Sequence, residues 1–469
     1  MTEVEGLVNK TVELRYKSRR LEFDLSHALF SSFDIDVGTK LLLKETAQDP
    51  VIGAARLLLD AGCGTGVIGV ALAATTPGSR VVLQDRDMLA CEFSLHNCRK
   101  NGISASLFSL DGSVRGAAAA PTQDGKLPPD AGQVLIRPGI LAEHDVITGY
   151  DAVLSNVPAK AGPPILTAFF EGCESRLLRP GGRLAFVIVN SLIEVADSWC
   201  AATPMRLVKR VPARSHTVFI LEKAAVGTAA VVTAIAVMPS AVMPSAVTAR
   251  PCESVTDSWT DPLSKQDFNS YRDDLPVYIR SDDVRPAGGY AAGINGFWGL
   301  PEFDTSSYAT DLAIETLEHT LAGLSVRDFL VYEPGIGLPA VWAAQAFAPS
   351  AITAVSRNLL SLLATEHNLE RLSEPRFTFF PCPATEIGKV PDLSVDCALW
   401  FCDEIPEYNY VNPTLFQLRR ATKDGATVVL VGSAAAISRF DRARPNDMRR
   451  VSLKKHKGFA ALVLAKIGG

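Results

Sequence analysis

The hydrophobic and polar positions of this chain follow the same arrangement twice. From about residue 56 to 223, short apolar runs alternate with longer stretches rich in Ala and Leu, and a similar alternation returns from about 328 to 466. Short apolar runs bounded by turn residues predict buried strands, and the longer stretches predict helices. This alternation is typical of open, mostly parallel, twisted sheets with helices on both faces. The pattern therefore predicts an α/β fold with two tandem sheets.

The first half can be divided into elements. Strands are predicted at 56–60, 80–85, 104–110, 151–155, 183–189, 205–210 and 216–222, and helices at 67–75, 88–100 and 163–178. Residues 112–140 are rich in Ala, Gly and Pro, so we interpret them as a surface insertion.

Short segments recur between the halves, which indicates a tandem duplication. Asp85-Arg86-Asp87 and His96-Asn97 return as Ser356-Arg357-Asn358 and His367-Asn368, always 271 positions later. The run from Asp60 to Gly64 matches the run from Glu333 to Gly337, two residues out of that register. We therefore predict two copies of one domain.

The segment between the two copies is uncharged from Ala224 to Ala249 and repeats Val-Met-Pro-Ser-Ala. Two prolines leave no unbroken apolar stretch as long as the ~20 residues that a membrane-spanning helix needs. We interpret the segment as a flexible, low-complexity linker and expect no contact with a membrane. The predicted domains are residues 1–223 and 255–469, with the linker at 224–254.

Composition narrows the class of protein. Hydrophobic residues make up 47% and charged residues 21% of the 469 residues, as in soluble globular proteins. The 46 Lys and Arg against 51 Asp and Glu give a net charge of −5, so nucleic-acid binding would depend on local patches such as the basic run from Arg439 to Lys457. The nine cysteines are odd in number and lack zinc-site spacing, and the N-terminus lacks a secretory signal. We therefore expect reduced thiols, no metal and a cytoplasmic location.

A glycine-rich motif follows the first strand, Asp60-Ala61-Gly62-Cys63-Gly64-Thr65-Gly66. Glycines allow a tight turn and a close approach of the backbone to a ligand, which binds beyond the carboxyl ends of the strands. Asp60 would repel a pyrophosphate and attract a cationic group, and Val67 takes the place of the third glycine of a dinucleotide fingerprint. The motif therefore favours a ligand that carries an ammonium group.

Two further carboxylates follow predicted strands. Asp85 ends the second strand, ~20 residues past the glycines, where a carboxylate can accept both hydroxyls of a ribose. It could instead cap the next helix, a role that Asp87 could fill equally well. Asp111, after the third predicted strand, could hold an adenine amino group or be an ordinary loop carboxylate.

The segment from Asp151 to Pro158 runs from a predicted strand into a loop. The side-chain carbonyl of Asn156 and the backbone carbonyls of Val157 and Pro158 can accept hydrogen bonds from an exocyclic amino group. The alternative is a polar turn that is closed by proline.

Together these residues resemble class I S-adenosylmethionine-dependent methyltransferases. The segment from Phe30 to Leu43 is similar to the "methyltransferase small domain" family, which includes tandem-duplicated bacterial ribosomal-RNA guanine methyltransferases. The resemblance implies two Rossmann-like domains, the first active and the second degenerate, and S-adenosyl-L-methionine as the cofactor. It implies that Asn156 and Pro158 are catalytic and that the cofactor is bound by Asp60, Gly62, Cys63, Gly64, Gly66, Asp85, Arg86, Asp111 and Asn156.

The sequence departs from that family in three respects. The family's Asn-Pro-Pro-aromatic tetrapeptide is here Asn156-Val157-Pro158-Ala159, so the aromatic residue that would stack on the target base is missing. The intact copy comes first rather than second. In the second copy, Leu338 and Pro339 are expected in the places of Thr65 and Gly66, and Ser356 replaces Asp85, so we expect little or no cofactor binding there.

The expected function is S-adenosylmethionine-dependent methylation of an exocyclic amino group of a base in ribosomal RNA. Asn156 and a backbone carbonyl would accept hydrogens of that amino group, and alignment would supply most of the remaining catalysis. Methylation of a protein side-chain amide or amine is the alternative, which the missing aromatic residue and the acidic net charge favour. A non-catalytic adenosyl-binding scaffold is a third hypothesis. The expected partner is RNA or a ribosomal protein.

Overall fold

The structure is a computed structural model that describes residues 4–76, 78–109, 114–116, 133–141, 147–225, 271–285, 293–302, 304–371, 376–383, 387–402 and 404–468. Most of the predicted linker and Asp111 lie outside the described residues. Residues 4–225 are called the first half below, and residues 271–468 the second half. No helix in the described part of the chain is long and apolar enough to cross a membrane.

The elements of the first half begin with a hairpin and continue with alternating helices and strands. Its strands are β1 (Lys10–Tyr16), β2 (Arg19–Leu25), β3 (Leu57–Ala61), β4 (Arg80–Asp85), β5 (Ala105–Phe108), β6 (Val114–Arg115), β7 (Gln133–Pro138), β8 (Tyr150–Asn156), β9 (Leu178–Val189), β10 (Arg206–Pro212) and β11 (His216–Glu222). Its helices are α1 (Val37–Thr46), α2 (Pro50–Gly53), α3 (Val67–Thr75), α4 (Met88–Lys100), α5 (Pro163–Gly172) and α6 (Ile193–Ala202).

The second half repeats this order. Its strands are β12 (Ile279–Val284), β13 (Ile294–Phe297), β14 (Asp328–Tyr332), β15 (Ala351–Ser356), β16 (Arg376–Pro381), β17 (Val395–Phe401), β18 (Thr422–Ser433), β19 (Met448–His456) and β20 (Phe459–Lys466). Its helices are α7 (Tyr308–Leu321), α8 (Leu338–Phe347), α9 (Leu359–Glu370), α10 (Val411–Ala421) and α11 (Ala434–Ala443).

Each half is built on a mostly parallel sheet. The first sheet has the order β10-β11-β9-β8-β3-β4-β7-β5-β6, and the second has the order β16-β15-β14-β17-β18-β20-β19. The strands from β9 to β5 and from β16 to β18 run parallel, and the strands at the other ends pair antiparallel. The predicted α/β fold with two tandem sheets is confirmed. The hairpins β1–β2 and β12–β13, which the sequence pattern did not indicate, precede the two sheets.

The glycine loops of the two halves match at the 271-residue offset, so the predicted two-residue shift is wrong. Gly66 and Gly337 cap α3 and α8 with φ of 82° and 89°. The N–H of Gly62 donates to the carbonyl of Gln84, and the N–H of Glu333 donates to that of Val355, which is again 271 positions later. Pairing to the neighbouring strand fixes the register, whereas the prediction aligned two carboxylates. Glu333 therefore stands in the place of Gly62, and Gly337 in the place of Gly66.

The interpretation of residues 112–140 as a surface insertion is wrong in part. Gln133–Pro138 forms β7, which lies inside the sheet between β4 and β5. Val134, Leu135 and Ile136 have no exposed surface. A parallel strand that is buried on both faces needs only such a short apolar run, which the Ala-, Gly- and Pro-rich composition around it conceals. In the second half, β16 pairs directly with β15.

The two halves meet at the loops that follow β4 and β15. The N–H of Met88 donates to the carbonyl of Arg357, and the N–H of Leu359 donates to that of Arg86, both at 2.8 Å. Buried apolar residues from both sheets also form one continuous cluster, which includes Phe169 and Trp342. The carboxyl ends of β4 and β15 therefore face each other across a symmetric contact.

Candidate functional site

The glycine loop between β3 and α3 borders an open space. Gly62, Gly64 and Gly66 have φ of 73°, 56° and 82°, which L side chains rarely adopt. A Cβ atom on Gly66 would lie 2.9 Å from Ser94 Oγ, so this glycine packs against α4. A Cβ atom on Gly64 would meet no atom within 4 Å. The loop therefore presents Gly64 to a space that a ligand can approach closely.

Asp85 lies beside Gly64 at the end of β4. Its Oδ2 accepts the N–H of Gly64 at 2.9 Å, and its Oδ1 accepts the N–H of Asp87 at 3.0 Å. Burial raises the pKa of the Asp85 carboxyl, while these N–H groups lower it. Each carboxylate oxygen has a second lone pair, so the group can also accept two hydroxyl donors. The capping role that the sequence left open belongs to Asp87, which accepts the N–H of Leu89.

The structure places Asp60 inside the protein instead of open to the cleft. The residue has no exposed surface, and its Oδ2 accepts the N–H of Gly69 in α3 at 2.7 Å. Its Oδ1 is buried without a hydrogen-bond partner. Burial raises the pKa of the Asp60 carboxyl to about 7, and the charge of Asp85 adds to the increase. Asp60 can therefore act on a ligand through its charge more readily than by contact.

Two predicted cofactor residues point away from the open space. Cys63 is buried with its Sγ 3.4 Å from Ser94 Oγ, and burial raises the pKa of its thiol well above the ordinary value. The guanidinium of Arg86 donates to the carbonyl of Gly299 in the second half at 2.9 Å. Cys63 thus packs the loop onto α4, and Arg86 holds the two halves together.

The backbone carbonyl of Asp85 pairs with a residue that follows β7. In the second half, Cys382 lies 271 positions after Asp111 and donates its N–H to the carbonyl of Ser356. In the first half, the N–H of Gly139 donates to the carbonyl of Asp85 at 2.9 Å. Because β7 separates β5 from β4, this side of the cleft is formed by residues that follow β7.

Asn156 ends β8 and has a fixed side-chain amide. Its Nδ2 donates to Asp36 Oδ2 at 2.9 Å and to Thr39 Oγ1 at 3.0 Å. An ionised carboxylate only accepts hydrogen bonds, so Asp36 determines which end of the amide carries the nitrogen. The Oδ1 atom of Asn156 is therefore left to accept a hydrogen bond from another group.

Pro158 lies two residues further, against the glycine loop. A Cβ atom on Gly62 would lie 3.9 Å from Pro158 Cγ, and the carbonyl of Pro158 accepts the N–H of Ala161 at 3.0 Å. Pro158 therefore shapes a turn, and its carbonyl is already engaged. Trp298 of the second half packs against Gly162 at the end of this turn. The structure thus brings Gly64, Asp85, Asn156 and Pro158 together at one edge of the sheet.

Asp36 and Thr39 are site residues that the sequence did not single out. Asp36 caps α1 by accepting the N–H of Thr39 at 3.1 Å, with the same oxygen that accepts from Asn156. An Asp residue immediately before a helix is a capping signal that could have been found for α1. Its contact with a residue 120 positions away could not be found in this way.

We call residues 26–36, which lead from β2 to α1, the crossing segment. At one end, the carbonyl of Ala28 accepts from Arg357, whose guanidinium also lies 3.1 Å from Asp87 Oδ2, beyond β4. At the other end, Asp36 holds Asn156, beyond β8. The segment therefore passes over the carboxyl ends of the strands that carry the site.

The equivalent cleft of the second half is filled by its own side chains. Glu333, in the place of Gly62, has φ of 55° and accepts from Ser356 Oγ and from the N–H of Arg357. A Cβ atom on Gly335, the counterpart of Gly64, would lie 3.3 Å from the Glu302 carboxylate. Tyr332 and Trp400 stack there with ring centres 3.8 Å apart.

Metal binding has no support in the residues described. Among them, no group of three or more His, Cys, Asp or Glu side chains could hold a metal ion, and the eight described cysteines are free thiols.

Comparison with known proteins gives matches of one kind. Residues 20–119 match the family model "Methyltransferase small domain". The chain is 28% identical over 178 residues to "Ribosomal RNA small subunit methyltransferase C" of Hahella chejuensis, an alignment that covers 37% of this chain and 41% of that protein. It is 24% identical over 180 residues to "Uncharacterized protein YbxB" of Bacillus subtilis, covering 38% of this chain and 74% of that protein.

One similar solved structure covers both halves. It is "T. Thermophilus 16S rRNA N2 G1207 methyltransferase (RsmC) in complex with AdoMet and Guanosine", with a TM-score of 0.60 and 15% identity over 98% of this chain and 99% of that one. The resemblance to the methyltransferase small domain family and the double α/β fold are thereby confirmed. The alignment with the Hahella chejuensis protein spans about two fifths of that relative's length.

Proposed function

We propose that this chain, which carries a methyltransferase small domain at residues 20–119, transfers a methyl group from S-adenosyl-L-methionine to an exocyclic amino group of a base in ribosomal RNA. The observation that carries the proposal is the fixed amide of Asn156, which lies at the same sheet edge as the open space over Gly64. The first half would perform the transfer, and the second half would support it.

The residues of the first half fit S-adenosyl-L-methionine. When bound, this cofactor supplies a methyl group that its sulfonium has already activated. Asp85 retains acceptor capacity for two ribose hydroxyls, and the buried charge of Asp60 favours a cationic ligand over a pyrophosphate. The space over Gly64 allows close approach to the backbone. Both the shape of the cleft and its charge therefore suit S-adenosyl-L-methionine.

Asn156 would act on the acceptor. An amino group conjugated to a ring is a poor nucleophile, because its lone pair is delocalised into the ring. When Asn156 Oδ1 accepts one of its hydrogens, the amino group is held in one orientation with the lone pair directed at the methyl group. The carbonyl of Pro158 accepts the N–H of Ala161, whereas the structure shows no donor to Asn156 Oδ1 among the described residues, so Asn156 Oδ1 is the acceptor we assign to the amino group.

RNA as the substrate is supported by the name of the Hahella chejuensis relative, a ribosomal RNA methyltransferase, and by local charge. Arg449 and Lys455 lie exposed on the edge strand β19, without a carboxylate partner among the described residues. Their neighbours Arg450 and Lys454 pair with Asp441 and Glu315. The unpaired cations could contact phosphates and position RNA without reading its sequence.

We propose that the second half binds no S-adenosyl-L-methionine. The Glu302 carboxylate lies near Gly335, where the first half has open space over Gly64. Glu333 accepts hydrogen bonds from Ser356 Oγ and from the N–H of Arg357. Ser356 lacks the carboxylate that Asp85 provides in the first half. Arg357 of the second half pairs with Asp87 and donates to the carbonyl of Ala28 in the crossing segment, so the second half would support the site of the first.

The test is transfer of label from S-adenosyl-L-methionine to the macromolecules of a lysate from cells that lack the protein. Wild-type protein should label ribosomal RNA, and Asn156→Ala should lower kcat by roughly 10²–10³-fold, as the loss of one preorganised polar contact does elsewhere. The affinity of the variant for the cofactor should stay close to that of the wild type.

The matched control is Phe401→Ala, at the equivalent position in the second half, which should leave kcat unchanged. Calorimetry should give about one cofactor per chain. Label in protein rather than RNA would contradict the proposed substrate, and two equal cofactor sites would contradict the inactive second half. Binding of a nicotinamide dinucleotide in place of S-adenosyl-L-methionine would contradict the proposed activity.

A further inference from the structure

The crossing segment carries two of the most exposed aromatic residues in the described part of the chain. Phe30 is 75% exposed and Phe33 is 68% exposed, and Val37, at the start of α1, is 64% exposed. Single exposed apolar residues are ordinary, but three within eight positions form a patch. The edge of the Phe33 ring packs on His27, with ring centres 5.1 Å apart, which restricts its orientation.

This patch is continuous with the proposed site. Asp36, three residues after Phe33, holds the amide of Asn156. Ser31, one residue after Phe30, has φ of 62°, and its counterpart Glu302 has φ of 66° and reaches the glycine loop of the second half. The matching backbone indicates that this segment follows the same course in both halves, between the end of β2, where Ala28 accepts from Arg357, and Asp36 at Asn156. The two rings therefore lie at the mouth of the cleft that contains Asn156.

The second half lacks this pair of rings. Pro301 stands in the place of Phe30 and Asp304 in the place of Phe33, both 271 positions later. Asp304 is paired with Arg280. The same fold thus forms with neither ring at these two positions, although Tyr308, the counterpart of Val37, is 54% exposed. The two Phe residues are therefore not needed for the fold of this segment.

The charges beside the patch suit a polyanion. The amine of Lys10 donates to the carbonyl of Phe33 at 3.0 Å, and its charge also acts on Asp34, which pairs with Lys40. Lys160, two residues past Pro158, is exposed and has no ion pair in the regions that the structure describes. Exposed rings beside amines are an arrangement with which proteins bind unpaired bases and their phosphates.

We propose that Phe30 and Phe33 form a stacking surface for unpaired bases of RNA next to the acceptor base. This inference rests on the proposed function, since it takes the substrate to be RNA. The rings would stack on bases, and Lys10 and Lys160 would contact the adjoining phosphates. A base that is unpaired for methylation has left its stack, and an aromatic surface at the mouth of the cleft offers it or its neighbour a replacement.

The test measures binding of a short, fluorescently labelled, single-stranded RNA to the full chain. The double variant Phe30→Ala with Phe33→Ala should bind RNA at least roughly tenfold more weakly, because base–aromatic stacking contributes this much per base. Its affinity for S-adenosyl-L-methionine should be unchanged. Phe416→Ala is the matched control, since Phe416 is 64% exposed on α10 of the second half. It should leave RNA binding unchanged.

Two single variants separate stacking from general apolar contact. Phe33→Trp should keep RNA affinity, and RNA should quench its fluorescence, whereas Phe33→Leu should lose affinity. Equal effects of the double variant and of Phe416→Ala would overturn the proposal. A loss of cofactor affinity with RNA binding intact would overturn it as well, since the rings would then cover the cofactor.

Binding and transfer separate this inference from the proposed function. If wild-type protein binds RNA through the rings but labels none, the stacking surface stands and the proposed activity fails. If the variants bind RNA normally while label still enters RNA, the activity stands and the stacking surface fails. If wild-type protein does not bind RNA, both fail.

Discussion

The two halves share a backbone and differ in the side chains at the carboxyl ends of their strands. Roles that both halves keep belong to the pairs Gly66 and Gly337, His96 and His367, Asn97 and Asn368, and Asp151 and Asp396. Positions that differ are Asp36 and Ser307, Asp60 and Val331, Gly62 and Glu333, Asp85 and Ser356, and Asn156 and Phe401. The first set ties elements of each half together, whereas the second set surrounds one cleft. The comparison therefore separates what the fold needs from what the site needs.

Asn97 and Asn368 show what the fold needs. Asn97 donates from its amide to the carbonyls of Asp24 and Thr65, and Asn368 donates to those of Asn295 and Ile336. Both amides are fully buried and tie a hairpin to the glycine loop. A buried backbone carbonyl that loses its donor costs about 1–3 kcal/mol, so these residues serve folding in either half.

Asp60 shows the opposite case. Its counterpart Val331 is fully buried in β14, so the fold accepts an apolar residue at this position. A buried carboxylate with one unpartnered oxygen is destabilising. We therefore propose that its presence in the half with the open cleft serves a charged ligand rather than folding.

Among the variants that exchange residues between the halves, Asp36→Ser should have a large effect, and this effect is on kcat. Serine is the residue of the second half, where Ser307 Oγ accepts the N–H of Thr310 and caps the helix. The variant keeps the cap but loses the hold on Asn156, so kcat should fall by up to about 100-fold with the cofactor affinity unchanged. Steady-state kinetics and calorimetry measure the two quantities.

Two further variants sharpen this result. Asp36→Asn should keep most activity, because its side-chain oxygen can still accept from Asn156 and cap α1. A loss as large as with serine would instead indicate that the negative charge of Asp36 is needed. Ser307→Ala should lower stability by about 1 kcal/mol through loss of a cap, without a change in kcat.

An effect of similar size is expected on cofactor affinity, with Asp85→Ser. The variant introduces the residue found at position 356 and removes a carboxylate that can accept both ribose hydroxyls. Hydrogen bonds to charged groups contribute about 1.5–3 kcal/mol, so the Kd for S-adenosyl-L-methionine should rise roughly 10- to 150-fold in calorimetry. Ser356→Ala in the second half is the control and should leave the Kd unchanged. An unaltered Kd in Asp85→Ser would show that this carboxylate does not bind the cofactor.

Asp60→Val should have the smallest effect, which is a change in the free energy of unfolding. Because the folded-state pKa of Asp60 is about 7, above the ordinary value of 3.8, the folded protein binds more protons than the unfolded chain between these values. The free energy of unfolding should therefore fall as pH rises from about 4 to 7. The variant should reduce this slope and be more stable by roughly 1–2 kcal/mol at pH 8, since it removes a buried charge.

Chemical denaturation at pH 5 and pH 8 measures this difference. Part of the slope should remain, because burial also raises the pKa of Asp85 and raises that of Asp87 to about 6. Asp273→Ala removes an exposed carboxylate and should not change the slope. A variant that is less stable than the wild type at pH 8 would show that Asp60 serves the fold after all.

Much of the first half could be predicted because it depends on short-range order. A strand, a glycine turn and a helix follow one another within the nineteen residues from Leu57 to Thr75, so the loop geometry around Gly62 and Gly66 is set locally. The spacing from these glycines to Asp85 and the motif around Asn156 follow from the same alternation of strands and helices. The recurring segments likewise made the duplication visible.

Other features depended on which elements meet. The sequence pattern hid β7, because its apolar run becomes a strand only between two neighbours that bury both of its faces. Arg86 was assigned to the cofactor, whereas the position of the second half directs it to Gly299. The second glycine loop was aligned by charge, although strand pairing fixes its register.

The sequence by itself thus determined the fold class, the repeat and the motif residues, since each is written in local spacing of apolar, glycine and acidic positions. Only the tertiary structure decided how these residues act. It turned Asp60 inward, aligned Glu333 with Gly62 and brought Asp36 to Asn156 across 120 positions. The physical reason is that hydrogen bonds and burial act between groups that are close in space, and the packing of the sheets sets those distances.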